Sequence, residues 1–334
     1  MQKSCRALGA TVLISAALCV SCVDVPPAYG QSAWKPNRNV EIVVNTAPGS
    51  GQDTTARTVQ KILQERHLVE SPLTVMNKPG GGGAIAYNYL NQQQGNGHYV
   101  AIASKSLLTN HIMGRNPITH TDVTPLAILF GEYISVAVKA DSDIQSGRDL
   151  IERMKKDPSA YSFGVATSVG NPNHQGVAMA LKAAGVDVKR MKTVVFQSGG
   201  NAITALLGGH VSVVPGSVGL MLKHVEAGSV RLIAIAAPQR LPGTFAKTPT
   251  WREQGADAVV SNWRGLIGPK GLTGAQTTYW DGALKGLTAS EEWKKGLERN
   301  YWADDYMPSA ETRKYMGEEY GQLKSFLVDL ELAK

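Results

Sequence analysis

The stretch Val40-Glu41-Ile42-Val43-Val44-Asn45-Thr46-Ala47-Pro48-Gly49-Ser50-Gly51-Gln52-Asp53-Thr54 decides how this chain folds. Its first five residues are a short apolar run, which reads as a buried strand. Residues 47–53 follow as a turn of small residues holding a proline and two glycines, and residues 54–65 then show helical spacing. A strand that ends in such a turn and opens a helix is the repeating unit of an α/β fold.

The same grammar returns along the chain. Residues 73–76 read as a second strand, followed by Asn77-Lys78-Pro79-Gly80-Gly81-Gly82-Gly83 and a helix over about 84–93. Residues 99–103 are a third strand, ending at Ser104-Lys105-Ser106. In a parallel sheet these turns collect at the carboxyl edge, where ligands bind. A second set begins near residues 134–138. There, 163–166 lead into Thr167-Ser168-Val169-Gly170-Asn171-Pro172-Asn173-His174, and 193–196 into Gln197-Ser198-Gly199-Gly200-Asn201. Residues 211–214 lead into Pro215-Gly216-Ser217, each turn opening a helix, and 232–236 form a further strand. Residues 259–267 read as strand, and amphipathic helix dominates beyond Gly271. This pattern predicts an α/β protein of two lobes with a ligand cleft between them. Lobe I is expected over residues 31–133 and 263–334, and lobe II over 134–262. The hinge is expected near 132–136 and 261–264.

The N-terminus sets the compartment. Lys3 and Arg6 precede an apolar run over residues 8–20, and Ala28-Tyr29-Gly30 offers a small-x-small cleavage site. The run is shorter than the roughly 20 residues a bilayer span needs. Residues 1–30 are therefore expected to be a removed signal peptide, and the mature protein to be soluble in the periplasm. Cys5, Cys19 and Cys22 all lie in this leader, so the mature chain has no thiol for a disulfide, a metal or a nucleophile. Cys22 is also a possible lipid-anchoring cysteine, although Leu18 stands four residues before it instead of the usual three. Removal of the leader lowers the net charge of +7 by one. The remaining excess is dispersed among acids, without the basic or aromatic-basic clustering that nucleic-acid binding needs. A mildly basic field helps to collect anionic solutes.

The Gly-rich turns carry the chemistry. The first turn of a helix has backbone N–H groups without intrahelical partners at the positive end of the dipole, and glycine lets an oxyanion approach them. Any one turn by itself reads first as a plain connector; several on both halves point to a shared anion site. Gly49-Ser50-Gly51-Gln52-Asp53-Thr54 has Thr where a dinucleotide fingerprint needs glycine, and residues 80–83 are not followed by a P-loop Gly-Lys-Ser/Thr. Pro215-Gly216-Ser217 is not a nucleophile elbow, and the seven histidines show no metal spacing. No cofactor, metal or catalytic group is expected. Asp53 either caps the following helix or meets a cationic ligand group. His174 either contacts a carboxylate or satisfies its turn. Lys78 and Lys105 either neutralise ligand charge or solubilise, and Arg264 either pins the hinge or reaches the ligand.

At this point the residues resemble a known family. The segment from Pro36-Asn37-Arg38 to Thr54-Thr55-Ala56-Arg57, the turn from Asn77 to Gly83, and Gly170-Asn171-Pro172-Asn173-His174 carry the likeness. So do Leu206-Leu207-Gly208-Gly209-His210-Val211, Thr248-Pro249-Thr250-Trp251-Arg252-Glu253-Gln254-Gly255 and Asn262-Trp263-Arg264-Gly265. In order and spacing they resemble the extracytoplasmic binding proteins of tripartite tricarboxylate transporters, the superfamily of the Bordetella uptake gene products. The resemblance implies a two-lobed flytrap whose Gly-rich loops hold a ligand carboxylate through backbone N–H groups and bridging waters. Carried over by position, it implicates Pro48, Gly49, Ser50, Gly51, Gly81, Gly82, Gly83 and Ala84, with Ser104 and Ser106 nearby. On lobe II it implicates Thr167, Ser168, Asn171, His174, Ser198, Gly199 and Ser217. Ser50 departs from a glycine common in the family's first loop, and Pro215-Gly216-Ser217 from an acidic or amide-bearing turn. The implied partners are a small carboxylate, either a tricarboxylate such as citrate, toward which Asn262-Trp263-Arg264-Gly265 and Asn171-Pro172-Asn173-His174 lean, or a di- or aromatic carboxylate, and a membrane permease of a large and a small subunit; a monomer is the default for a shuttle between periplasm and permease. An exported α/β hydrolase or transferase, or a sensor presenting ligand to a membrane kinase, are the alternatives.

Overall fold

Five strands, β1 (Val40–Val44), β2 (Leu73–Asn77), β3 (Tyr99–Ser104), β4 (Val123–Phe130) and β10 (Arg264–Pro269), with the short β11 (Met307–Pro308), make the larger sheet. The computed structural model describes residues 34–334 except Thr167; the expected leader, its cysteines and the Gly30 site lie outside the described residues. The strand order is β11-β4-β10-β3-β1-β2. β1 pairs in parallel with β2 and β3, while β10 runs antiparallel to both β3 and β4. The sheet is therefore mixed, and the expectation of a parallel sheet holds only for its β2-β1-β3 part.

Helices cover both faces, which is why β1 and β4 are nearly continuous apolar runs. Val40, Ile42 and Val44 point into a core with Val59 and Leu63 of helix α1 (Gly51–Glu65), Trp280 and Leu284 of α8 (Gly274–Thr288) and Trp293 of α9 (Glu291–Asn300). Val43 points to the other face, against α2 (Ala84–Asn91), α3 (Ser106–Ile112) and α10 (Ser309–Asp329). The period-2 alternation of side chains thus divides one strand between two cores.

The second lobe is built on β5 (Ile134–Lys139), flanked antiparallel by β8 (Val214–Ser217) and β9 (Val230–Ile235). β6 (Ser162–Ala166) pairs in parallel with β7 (Lys192–Phe196). A bridge between Phe163 and Val213, with the Gly164 N–H donating to the Val213 carbonyl at 2.8 Å, joins the two groups. Helices α4 (Gly147–Lys156), α5 (Pro172–Ala183), α6 (Gly199–Leu207) and α7 (Val218–Glu226) pack on them. Glu132 and Asn262 bond backbone to backbone where the chain leaves and re-enters the larger sheet.

Several elements depart from the sequence pattern. β4 is not anticipated by it, because Pro125 sits inside the run; Pro125 pairs only with Ile267 of β10, and β11 reaches no further than Ala127 and Ile128. α4 is also unanticipated; Ser146 accepts from the Asp149 N–H and starts it. The strand expected over 211–214 instead covers Val214–Ser217, so Pro215 and Gly216 are strand residues paired with Val136 and Ser135. The strand expected over 259–267 begins only at Arg264.

Candidate functional site

The turn after β1 is held by its own side chains. Ser50 caps α1, its Oγ accepting from the Asp53 N–H at 3.2 Å and lying 2.6 Å from Thr46 Oγ1. The cap starts the helix at Gly51, three residues earlier than periodicity predicts. Asp53 Oδ2 accepts from the Gly49 N–H and from Arg57 Nε, both at 2.9 Å, and Oδ1 accepts from Asn77 Nδ2 at 2.9 Å. Asn77 closes β2, so one buried carboxylate ties the first turn to the start of the second. The Arg57 hydrogen bond does most to hold Asp53 down at about 2, with the Gly49 and Asn77 donors adding to it against the effect of burial. Pro48 and Gly49 remain exposed.

In the second turn Gly80, Gly81, Gly82 and Gly83 all have positive φ, at 121, 58, 62 and 99°. Four successive residues in this region require glycine. The run leads into α2 at Ala84, and its tip at Gly81 and Gly82 is exposed. Asn110 Nδ2 donates to the Gly82 carbonyl at 2.9 Å. Gly83 lies against Tyr87 and Asn45, whose Nδ2 donates to the Tyr87 hydroxyl at 2.8 Å. Ser104, closing β3, takes a 3.3 Å bond from Gln52 Nε2 of α1, and the Ser106 N–H approaches it at 3.4 Å. The structure thus gathers Pro48 to Gly51, Gly81 to Ala84, Ser104 and Ser106 along the carboxyl edge of β1, β2 and β3.

On the second lobe Asn171 caps α5, its Oδ1 accepting from the His174 N–H at 2.9 Å and its Nδ2 donating to the Ala166 carbonyl at 2.5 Å. His174 is 2 % exposed and its Nδ1 accepts from the Gly170 N–H at 3.1 Å. Burial drives its pKa down to about 4, so the ring is neutral at physiological pH. Ser168 sits in the same turn, its N–H donating to the Ala166 carbonyl at 2.7 Å; Thr167 lies outside the described residues. Ser198 caps α6, its Oγ donating to Asn201 Oδ1 at 2.6 Å. Gly199 and Gly216 both abut Leu220 of α7, which draws the α6 start and Ser217 to one end of this lobe. A cavity of about 670 Å³ lies apart from these turns, between residues 238–243 and 294–305; none of the implicated residues lines it.

The family described as tripartite tricarboxylate transporter family receptor matches residues 55–332. The chain belongs to this family. The receptor is 24 % identical over 241 residues to Protein BugT of Bordetella pertussis, covering 71 % of this chain and 72 % of the relative. Among solved structures, a Rhodopseudomonas palustris protein with adipate superposes with a TM-score of 0.75 at 21 % identity, covering 89 % of this chain and 99 % of that one. MatC of the same organism, with bound malate, gives 0.68 at 21 % identity, covering 87 and 99 %. These likenesses are of fold. Among the described residues of the receptor no helix is long and apolar enough to cross a membrane, and no group of three or more His, Asp or Glu is placed to hold a metal ion.

The receptor also brings to this edge residues that the sequence pattern does not single out. Asn45 and Gln52 are 8 and 9 % exposed beneath the two turns, and Glu132 bonds Arg264 at 3.0 Å beside Gly51. Asn45 follows directly on a strand and Gln52 falls in the first turn of a helix, but both read as ordinary boundary polar residues. Lys105 points into the protein, 2.8 Å from Glu319.

Proposed function

We propose that this receptor captures a small carboxylate between its lobes and hands it to a membrane permease of a large and a small subunit. The observation that carries the reading is the pairing of the α1 N-terminus with the four positive-φ glycines of the second turn, joined by Asp53 and Asn77. Helix-start N–H groups and exposed left-handed backbone present donors without side chains in the way, which suits an oxyanion. Lobe I comprises residues 31–133 and 263–334 and supplies this first grip. Lobe II, residues 134–262, closes on the far end with Thr167, Ser168, Asn171, Ser198, Gly199 and Ser217. Closure is driven by the ligand's greater affinity for the closed form. Asp53 and His174 shape their turns from within. The protein works in the periplasm as a monomer and catalyses nothing.

Malate and adipate, bound by two proteins of like fold, make dicarboxylates the first class to try. The test is a thermal-shift screen of the refolded protein against mono-, di- and tricarboxylates. A ligand at about 100 times its Kd stabilises the fold by roughly 2.7 kcal/mol. A shift confined to a few carboxylates supports the reading. Silence to all of them, with a response to an uncharged or cationic solute, overturns it.

A further inference from the structure

Arg264 opens β10 with its side chain 12 % exposed. Nη2 donates to Glu132 Oε2 at 3.0 Å, and Nη1 donates to the carbonyls of Asn262 and Trp263 at 3.3 and 3.4 Å. A Cβ on Gly51, the first residue of α1, would stand 4.0 Å from Nη2. The guanidinium therefore sits beside the positive end of a 15-residue helix, two like potentials held in one corner by the charge of Glu132. Glu132 also accepts from Trp302 Nε1 at 3.2 Å.

Two buried amides share the corner. Asn45 bonds Tyr87 and Gln52 bonds Ser104, each through its nitrogen, and the oxygen of each has no partner among the described residues. Turned about, either amide keeps its hydroxyl partner and presents an NH2 group instead. A cation, a helix start and two nine-tenths-buried amides with unspent hydrogen-bonding capacity make a corner suited to an anion.

We propose that Arg264 is a specificity-determining residue of the lobe I subsite and that the ligand anion competes with Glu132 for its guanidinium. The inference rests on the carboxylate reading above. Its consequence reaches the hinge. Asn262 N–H donates to the Glu132 carbonyl at 2.9 Å and Glu132 N–H to the Asn262 carbonyl at 3.3 Å, so Glu132 belongs to both the charge pair and the crossover. An anion that draws Arg264 away relaxes one brace on that crossover as the site fills.

The test uses two substitutions that break the same ion pair from opposite sides. Calorimetric Kd values for malate, adipate and citrate are measured on the wild-type protein and on Arg264→Gln, Arg264→Lys and Glu132→Gln, at low and high salt. Loss of the cation should weaken the best ligand by about tenfold to a hundredfold, with Arg264→Lys in between. Glu132→Gln should instead tighten it by severalfold, by removing the competitor. If Arg264 were only a hinge pin, both Gln variants would shift affinity in the same direction or not at all, and either result overturns the proposal. Arg264→Lys and Glu132→Gln keep the comparison open if Arg264→Gln fails to fold. A wild-type protein that binds none of the three carboxylates, nor any other in the screen, overturns the carboxylate reading and this proposal with it; wild-type binding without opposite effects overturns the proposal alone.

Discussion

Lys105 Nζ lies 2.8 Å from Glu319 Oε1, and the two side chains are only 6 and 8 % exposed. The same carboxylate accepts from Trp263 Nε1 at 2.5 Å and from the Tyr315 hydroxyl at 3.1 Å. One acid of α10 thereby gathers the end of β3 and the segment that returns from lobe II. The lysine that stands between two serines of the candidate site is spent on the frame.

Breaking such a pair from one side strands a charge in the interior, whereas replacing both partners removes the problem. Lys105→Met should cost about 3–5 kcal/mol in urea unfolding, and Lys105→Met with Glu319→Leu markedly less. Additive losses would show that the two residues do not act as a pair.

Gly82 has φ 62°, and a Cβ there would lie 3.1 Å from Asn110 Nδ2. Gly82→Val should destabilise the fold by about 1–2 kcal/mol and weaken carboxylate binding by more than about tenfold, because it strains and covers the turn. Gly317 lies inside α10 with nothing within 4 Å of an added Cβ. Gly317→Ala should therefore stabilise by about 0.5–1 kcal/mol and leave Kd unchanged. Equal binding by both variants would remove the second turn from the site.

Asp53 carries a pH signature of known sign. Its carboxyl is held at about 2 when folded, against an ordinary 3.8, so the folded state favours the charged form. Its contribution is complete above about pH 4 and is lost as the pH falls through about 2. Asp53→Asn should cost on the order of 1–3 kcal/mol at neutral pH, and that deficit should shrink as acid is added. A deficit constant down to pH 2 would contradict the brace.

His174 runs the other way. Folding lowers its pKa from 6.5 to about 4 through burial, so the unfolded chain takes up the proton first. Stability should fall as pH drops from about 6.5 towards 4, by an amount on the order of 3 kcal/mol at full titration. His174→Gln should flatten that part of the unfolding profile. A profile unchanged by the substitution would mean that the ring is not buried in solution.

What the sequence by itself determined is local. The apolar run at Val40–Val44, the glycines that alone tolerate positive φ four times in a row, and the caps at Ser50, Asn171 and Ser198 are fixed by residues within a few positions of one another. The apolar runs and the Gly-rich turns predicted the α/β class and the turns of the candidate site, and the order of the motifs predicted the family; the caps were not read in advance, Asp53 having been offered as the α1 cap where Ser50 fills that place. Tertiary structure decided what lies far apart along the chain. β4 enters the sheet beside β10 despite Pro125, because only the neighbouring strands reveal on which side a missing N–H is tolerable. Asp53 looked like a cap or a ligand group until Asn77 and Arg57 surrounded it. Arg264 and Glu132, 132 positions apart, meet only once both crossovers are laid side by side. Backbone preference and capping are short-range and can be read in order, whereas burial and charge pairing depend on which distant segments the fold places in contact.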